Sequence, residues 1–377
     1  MKTIKVLAIV LLAVIILPFL AYSTWLIKKG HALDVMVINK FMTRFQGSEN
    51  ESFNYILNSK KLHTFGNRSY KLDVDNTGLI WNKGDYRINY PRLKDVERTV
   101  EKTNMVYYAD ASGIMTSQLK GYNEKQENKL EYGGLNHTDY ILLKQLISLG
   151  KTLVVEHNFF GPPTDPLIRY NIEKLTDIYY IGWVGKYIND FSDNTDKDEY
   201  YNWKVLYKIY NGQVFSSEGS GIVLINEEAH RIVILKEGID INTKEGLIRS
   251  GKEAMKKFNL PSATNYNGWF TFLHPGQNEV LSKFTLNPSE KGQDILNEAG
   301  IPDTFPALIQ FNTNCYYLAG DFGKCKVRFL MSKLPFIRPL YDALKRSSKN
   351  SNNFFYSYYQ PFMTSIVNES IELNKQN

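Results

Sequence analysis

The chain has 377 residues, 43% of them hydrophobic and 14% aromatic, which is enough to bury one large core or two ordinary ones and excludes a mainly disordered protein. Its formal charge is +6, but Lys2, Lys5, Lys28 and Lys29 supply four of those charges in an opening stretch without acids, so the remainder is close to neutral. No later stretch gathers Lys and Arg as a phosphate-binding surface requires, and nucleic acid is not an expected partner.

From Val6 to Ile27 there are 22 residues without a formal charge, flanked by lysines on both sides. At about 1.5 Å per residue a helix of that length reaches about 30 Å, the thickness of bilayer hydrocarbon. Residues 1–29 are therefore expected to form one N-terminal transmembrane helix, with the membrane as partner. A cleaved signal peptide is the competing reading, with Lys2 and Lys5 as its charged start. No Ala-x-Ala site follows the run, and Trp25 with Lys28 and Lys29 suits the interfacial anchoring of a retained helix, so the uncleaved anchor is preferred. The amino terminus is placed inside, which makes the protein a single-pass cell-membrane protein with an extracytoplasmic globular part. Residues 30–51, with Gly30, Gly47 and a polar "QGSENE" end, read as a tether.

The folded domain is expected over residues 52–345. "SFNYILNSKKL" carries Phe53, Ile56 and Leu57 at helical spacing, and "YKLDVDNTGLIW" alternates around a turn and reads as extended. "NMVYYAD" (104–110) reads as a strand and "HTDYILLKQLISLG" (137–150) as a helix capped at Thr138 and stopped by Gly150. "KTLVVEH" is the next strand. "PTDPLIRYNIEKLTDI" opens a helix with Asp165 at the N-cap and Pro166 at the first position. Strand, helix, strand, helix is the grammar of a doubly wound α/β sheet with mainly parallel strands. Beyond about residue 200 the pattern changes to a β-rich C-terminal extension. "SGIVLINEEAHRIVILKEG" reads as a hairpin, "GWFTFLH", "EVLSKFTL", "ALIQFN", "CYYLAG" and "KVRFLM" as strands, and "SEKGQDILNEAG" as a helix from Ser289 to Gly300. Residues 346–377 read as a polar spacer followed by an aromatic helix interrupted at Pro361.

Three acids stand at the ends of apolar strands: Asp110, Glu156 and Asp321. If the first two strands are parallel neighbours, Asp110 and Glu156 share the carboxyl edge of the sheet, where ligands of open α/β sheets bind. Carboxylates held there, partly desolvated, suit proton transfer or the binding of sugar hydroxyls, and the three are the candidate catalytic groups. The alternative for each acid is a helix cap or a loop brace. His157, Trp183 and Trp269 are the candidate ligand-binding residues, the tryptophans because each lies next to glycine where a ring could stack on a flat ligand; the alternative for them is the core. Cys315 and Cys325 bracket "CYYLAGDFGKC", which reads as a tight hairpin, and they are a candidate disulfide in an oxidising compartment, or else two separate buried thiols. No metal site is expected, since no cysteine or histidine pair has ligand spacing. Neither a G-x-S-x-G elbow, a phosphate-binding Walker loop, H-E-x-x-H nor G-x-G-x-x-G after a strand occurs, so no cofactor is expected.

The segment from Asn104 to Asp190, with "VYYAD", a helix, "KTLVVEHNFFGPPT" and a second helix, resembles the class I glutamine amidotransferase-like arrangement on a flavodoxin-like sheet. That resemblance implies a nucleophilic cysteine at a sharp strand-to-helix turn, assisted by a His and a Glu. Here no cysteine follows Tyr108 or Val155, so the likeness implies a degenerate member that keeps the sheet without the thiol. The expected function is a membrane-anchored binding or assembly protein of the cell envelope, its cleft at the carboxyl ends of the strands holding an envelope glycan or a protein. The alternative is a glycan-active hydrolase using a carboxylate pair.

Overall fold

The computed structural model describes residues 16–41, 51–71, 75–82, 85–118, 127, 129–193, 202–242, 246–325, 327–335 and 354–376. In chain order the strands are β1 (Val35–Asn39), β2 (Asn76–Asn82), β3 (Asp85–Asn89), β4 (Met105–Asp110), β5 (Thr152–Glu156), β6 (Tyr179–Ile188) and β7 (Gly221–Asn226). They continue with β8 (Arg231–Lys236), β9 (Gly246–Ser250), β10 (Ala263–Tyr266), β11 (Phe270–His274), β12 (Glu279–Thr285), β13 (Thr304–Asn312) and β14 (Cys315–Leu318). The helices are α1 (Glu51–Ser59), α2 (Val96–Lys102), α3 (His137–Ser148), α4 (Pro166–Thr176), α5 (Trp203–Asn211), α6 (Lys252–Phe258), α7 (Glu290–Ala299) and α8 (Gln360–Gln376).

Ten strands make one sheet in the order β10-β9-β12-β13-β14-β5-β4-β1-β2-β3. The five from β14 to β2 are parallel, and the strands on either flank are antiparallel. Numbered among themselves along the chain, the parallel strands lie 2-1-3-4-5, the flavodoxin-like order, whose winding reverses between β1 and β4. The β-rich extension is thus no separate body: β9, β10, β12 and β13 widen this same sheet. A second sheet, β8-β7-β6-β11, is pinned to it where Thr271 N donates to Ala319 O (2.7 Å) and Asp321 N to Trp269 O (2.9 Å).

Alternation along β4 assigns the two helical layers, because successive side chains of a strand face opposite ways. The Tyr107 ring packs 4.4 Å from that of Phe53 on α1, and its hydroxyl accepts from Tyr359 just before α8, whereas Tyr108 donates to Asp139 on α3. One face therefore carries α1 and α8; the other carries α3, with α2 and α4 packed on it. Between two covered faces β5 must be apolar throughout, and all five of its residues are buried.

Local chemistry sets the helix ends. Asp165 accepts from Leu167 N and Ile168 N with Pro166 behind it, and Ser289 accepts from Gly292 N while Gly300 closes α7 in a left-handed turn. The cap of α3 is Asn136 rather than Thr138. Its extended backbone lets the carboxamide accept from Thr138 N and Asp139 N, while Asp139 returns a bond to Asn136 N. Pro361 does not interrupt the last helix. The turn before it, Phe355–Tyr359, is wound wider in π register, which relieves the clash of a proline ring with the carbonyl one turn back.

Several expectations are corrected. The expected tether 30–51 is corrected over its described part, residues 30–41: Val35–Asn39 is an inner strand, parallel to both β2 and β4, and His31–Ala32 pairs with Leu62–His63, while 42–50 lie outside the described residues. Phe329–Lys333, overlapping the second half of the expected strand "KVRFLM", is a 3-10 turn, because the chain has left the sheet and lies on α1 instead. At the amino terminus residues 16–27 are helical, while residues 1–15 lie outside the described residues, as does the spacer 346–353. Among the described residues no helix is long and apolar enough to cross a membrane.

Candidate functional site

Tyr108 pairs with Val155 in register, so Asp110 and Glu156 end neighbouring parallel strands at one carboxyl edge. The edge is closed, however. Asp110 is 5% exposed, and its Oδ1 accepts from both Ser112 N and Ser112 Oγ at 2.6 Å, bracing the loop that leaves β4. Glu156 is 2% exposed, and its Oε2 accepts from Gly323 N at 3.0 Å. Burial first, and then the Asp321 carboxylate, push its pKa well above the ordinary range, while Gly323 N and the Tyr107 hydroxyl pull it back. Asp321 sits on the turn after β14, its carboxylate 4.0 Å from Lys324 Nζ. The structure therefore brings Glu156 and the half-buried Asp321 together with Tyr107, Tyr266 and Tyr359; Asp110 braces its own loop and stands near enough to add a smaller upward push on Glu156.

The three expected ligand-binding residues are all buried. His157 is buried; its Nδ1 lies 2.6 Å from Thr271 Oγ1, and its carbonyl accepts from Thr271 Oγ1 and Tyr317 Oη, so it fastens the second sheet to the rim. Trp183 and Trp269 are both buried, with Arg231 over the first ring and Lys186 over the second. A disulfide is likewise corrected, because "CYYLAGDFGKC" is no hairpin. Cys315 starts β14, with its Sγ near Lys151 O, and Cys325 lies past the far end of that strand, near Phe322 O; both are free thiols. Burial pushes the Cys315 thiol up to about 12 and raises Cys325 further, with help from Asp321 and Glu156, so neither offers a thiolate nucleophile at neutral pH.

Sequence reasoning missed the group at the winding reversal between β1 and β4. Lys40, immediately after β1, is wholly buried; its Nζ donates to Asp139 Oδ2 at 2.7 Å and to Gly134 O at 2.8 Å, and lies 4.9 Å above the Tyr90 ring. Asp139 also accepts from the hydroxyls of Tyr90 and Tyr108 and from Asn136 N. Burial drives the Lys40 pKa down against the pull of Asp139, and burial with the Asp139 charge drives both tyrosines well up. The crevice that holds ligands in this strand order is thus filled by a hydrogen-bonded ion pair. Its signal was a lysine directly after "VMVIN", legible only once that run is known to be a central strand. An open polar groove of about 460 Å³ lies elsewhere, along the amino-terminal half of β1 and the flank of α2, lined among others by Asp34, Tyr70, Asp75, Asp95, Arg98 and Lys102. Among the described residues no cluster of His, Cys, Asp and Glu has the arrangement of a metal site.

No family profile matches this chain, and no curated protein sequence matches it. Among solved structures it is similar in fold to a glutamine amidotransferase from Thermotoga maritima, with a TM-score of 0.38 and 9% identity over 91% of this chain and 99% of that one. ThuA-like proteins from Bacteroides uniformis and Parabacteroides merdae give TM-scores of 0.33 at 11% and 10% identity, covering 89% and 85% of this chain and 97% and 92% of theirs. Likeness of this degree carries nothing about chemistry.

Proposed function

We propose that the chain is a membrane-anchored, extracytoplasmic binding or assembly protein of the cell envelope. The observation that carries this reading is that the strand-end acids serve the fold: Asp110 braces a loop, Glu156 holds Gly323 N, and both are buried. The anchor rests on the charge-free run from Val6 to Ile27, whose described part, 16–27, is helical. The guest, an envelope glycan or a protein, is assigned to the groove beside β1 and α2 rather than to the closed carboxyl edge. A second reading, a glycan-active hydrolase, draws on Glu156, whose pKa burial and Asp321 push upward, the direction that suits a general acid.

The test uses the full chain, purified from membranes washed in alkaline carbonate and offered a panel of envelope glycans, with retention and bond cleavage both scored. The expected result is that the chain stays with the membrane pellet and retains a glycan without cleaving it, unaltered by Glu156→Gln. Cleavage that Glu156→Gln abolishes would replace the binding reading with the hydrolase, and release into the carbonate supernatant would remove the anchor.

A further inference from the structure

The helix over 16–27 does not end in solvent: it ends against the carboxyl end of α1, and each helix is capped by a lysine of the other. Lys61 Nζ donates to Leu26 O (2.6 Å) and Lys28 O (3.0 Å), Lys28 Nζ donates to Ser59 O (2.9 Å), and Trp25 Nε1 donates to Asn58 O (3.0 Å). Cations at helix carboxyl ends satisfy orphan carbonyls and oppose the dipole, so the junction is stiff. The 3-10 turn Phe329–Lys333 lies on the same junction: Met331 O accepts from Tyr55, Ser332 bonds Asn58, and Lys333 Nζ stands 5.2 Å over the Trp25 ring. This turn is turned outward, with Phe329 40% and Leu330 75% exposed, and Ile27 at the end of the 16–27 helix is 83% exposed.

Positive charge gathers at the junction. Lys28, Lys29, Lys60, Lys61 and Lys333 stand there. Burial first, and then the nearby lysine charges, lower the pKa of Lys60 (Lys28) and of His31 (Lys375, Lys28, Lys29 and Lys60), so these cations stand within reach of one another. Exposed apolar tips inside a ring of lysines, at the point where a bilayer-length apolar run meets the domain, match the headgroup layer of an anionic membrane.

We propose that this face, formed by the end of the 16–27 helix, Lys29, Lys60, Lys333 and the Phe329–Leu330 turn, is seated on an anionic phospholipid surface. The turn enters the headgroup layer, the lysines meet lipid phosphates, and the stiff junction holds the domain at one orientation. The proposal rests on the anchor reading above and adds a lipid preference and a contact outside the spanning segment.

The test is amide hydrogen exchange on the full chain in detergent, in phosphatidylcholine nanodiscs, and in nanodiscs with a third phosphatidylglycerol. Expected is exchange over 327–333 about tenfold slower in the phosphatidylglycerol discs than in detergent, with a smaller effect in phosphatidylcholine alone. Lys60→Gln with Lys333→Gln should remove the difference between the two lipids; the wild-type comparison stands even if that variant misfolds. Unchanged exchange at 327–333 while 16–27 is protected overturns the seat and leaves the anchor. Loss of protection at 16–27, with the chain failing to enter discs, overturns the anchor and the seat together. Equal protection of 327–333 in detergent and discs points to a protein contact and overturns the lipid assignment.

Discussion

Replacing Lys40 by Met keeps the length of the side chain and removes its charge from a site without solvent. Asp139 would then hold its carboxylate on Tyr90, Tyr108 and Asn136 N alone, and Gly134 O would lose its donor. Breaking a fully buried ion pair from one side costs about 3–5 kcal/mol, a large part of the roughly 5–15 kcal/mol that holds a domain folded. Asp139→Asn should cost a similar amount, since it strands the ammonium of Lys40 instead. The double variant carries no charge at the site, and its amide oxygen still accepts from the two tyrosines, so its cost should fall about 2 kcal/mol or more below the sum of the singles. Urea unfolding of the four proteins closes the cycle. Additivity within about 0.5 kcal/mol would refute the coupling, because independent sites add to that degree.

The Glu156 pKa is higher in the folded chain than in the unfolded one, so folding favours the protonated form. Its contribution is complete below the ordinary glutamate value and is lost as pH rises toward the folded value. Glu156→Gln, which keeps an acceptor for Gly323 N, should flatten that decline and leave the variant more stable than the parent at pH 9 but not at pH 4; parallel melting-temperature profiles would count against it. Gly323→Ala places a methyl 2.4 Å from the Tyr107 hydroxyl and 3.2 Å from Glu156, and should cost about 1–3 kcal/mol in denaturant; an unchanged midpoint would show that the turn moves freely. Titration of the unfolded chain with a thiol reagent, without reductant, should find both Cys315 and Cys325, and a count of zero would restore the disulfide.

What was legible in the sequence was local. The Asp165-Pro166 start of α4, the Ser289 to Gly300 bounds of α7, the β7–β8 hairpin and the continuous apolar run of β5 each carry their cause within a few neighbouring residues. What was hidden depends on distant partners. Strand β1 is five residues that look like linker until β2 and β4 flank it. Glu156 is closed off by Gly323, 167 residues on, and Lys40 meets Asp139 across 99. Trp183 and Trp269 border glycines as ligand-stacking rings do, but a strand partner decides whether such a ring is covered, and here both are. The common strand edge of Asp110 and Glu156 followed from the order of elements; the plugging of that edge by a second sheet did not, since β6 and β11 are joined by hydrogen bonds between remote segments.

The last helix runs back across the sheet from Tyr359 beside Tyr107 to Ser370 on Thr152 and Asn374 on Asn104. It brings Phe362, Met363, Ile366 and Val367, all wholly buried, to a face otherwise shared with α1. These residues follow every strand of the sheet in chain order, so the growing polypeptide carries an unroofed oily face until they emerge. A chain cut before Phe354 would keep every strand and leave that face naked, a species fit for chaperones and proteases and for little else.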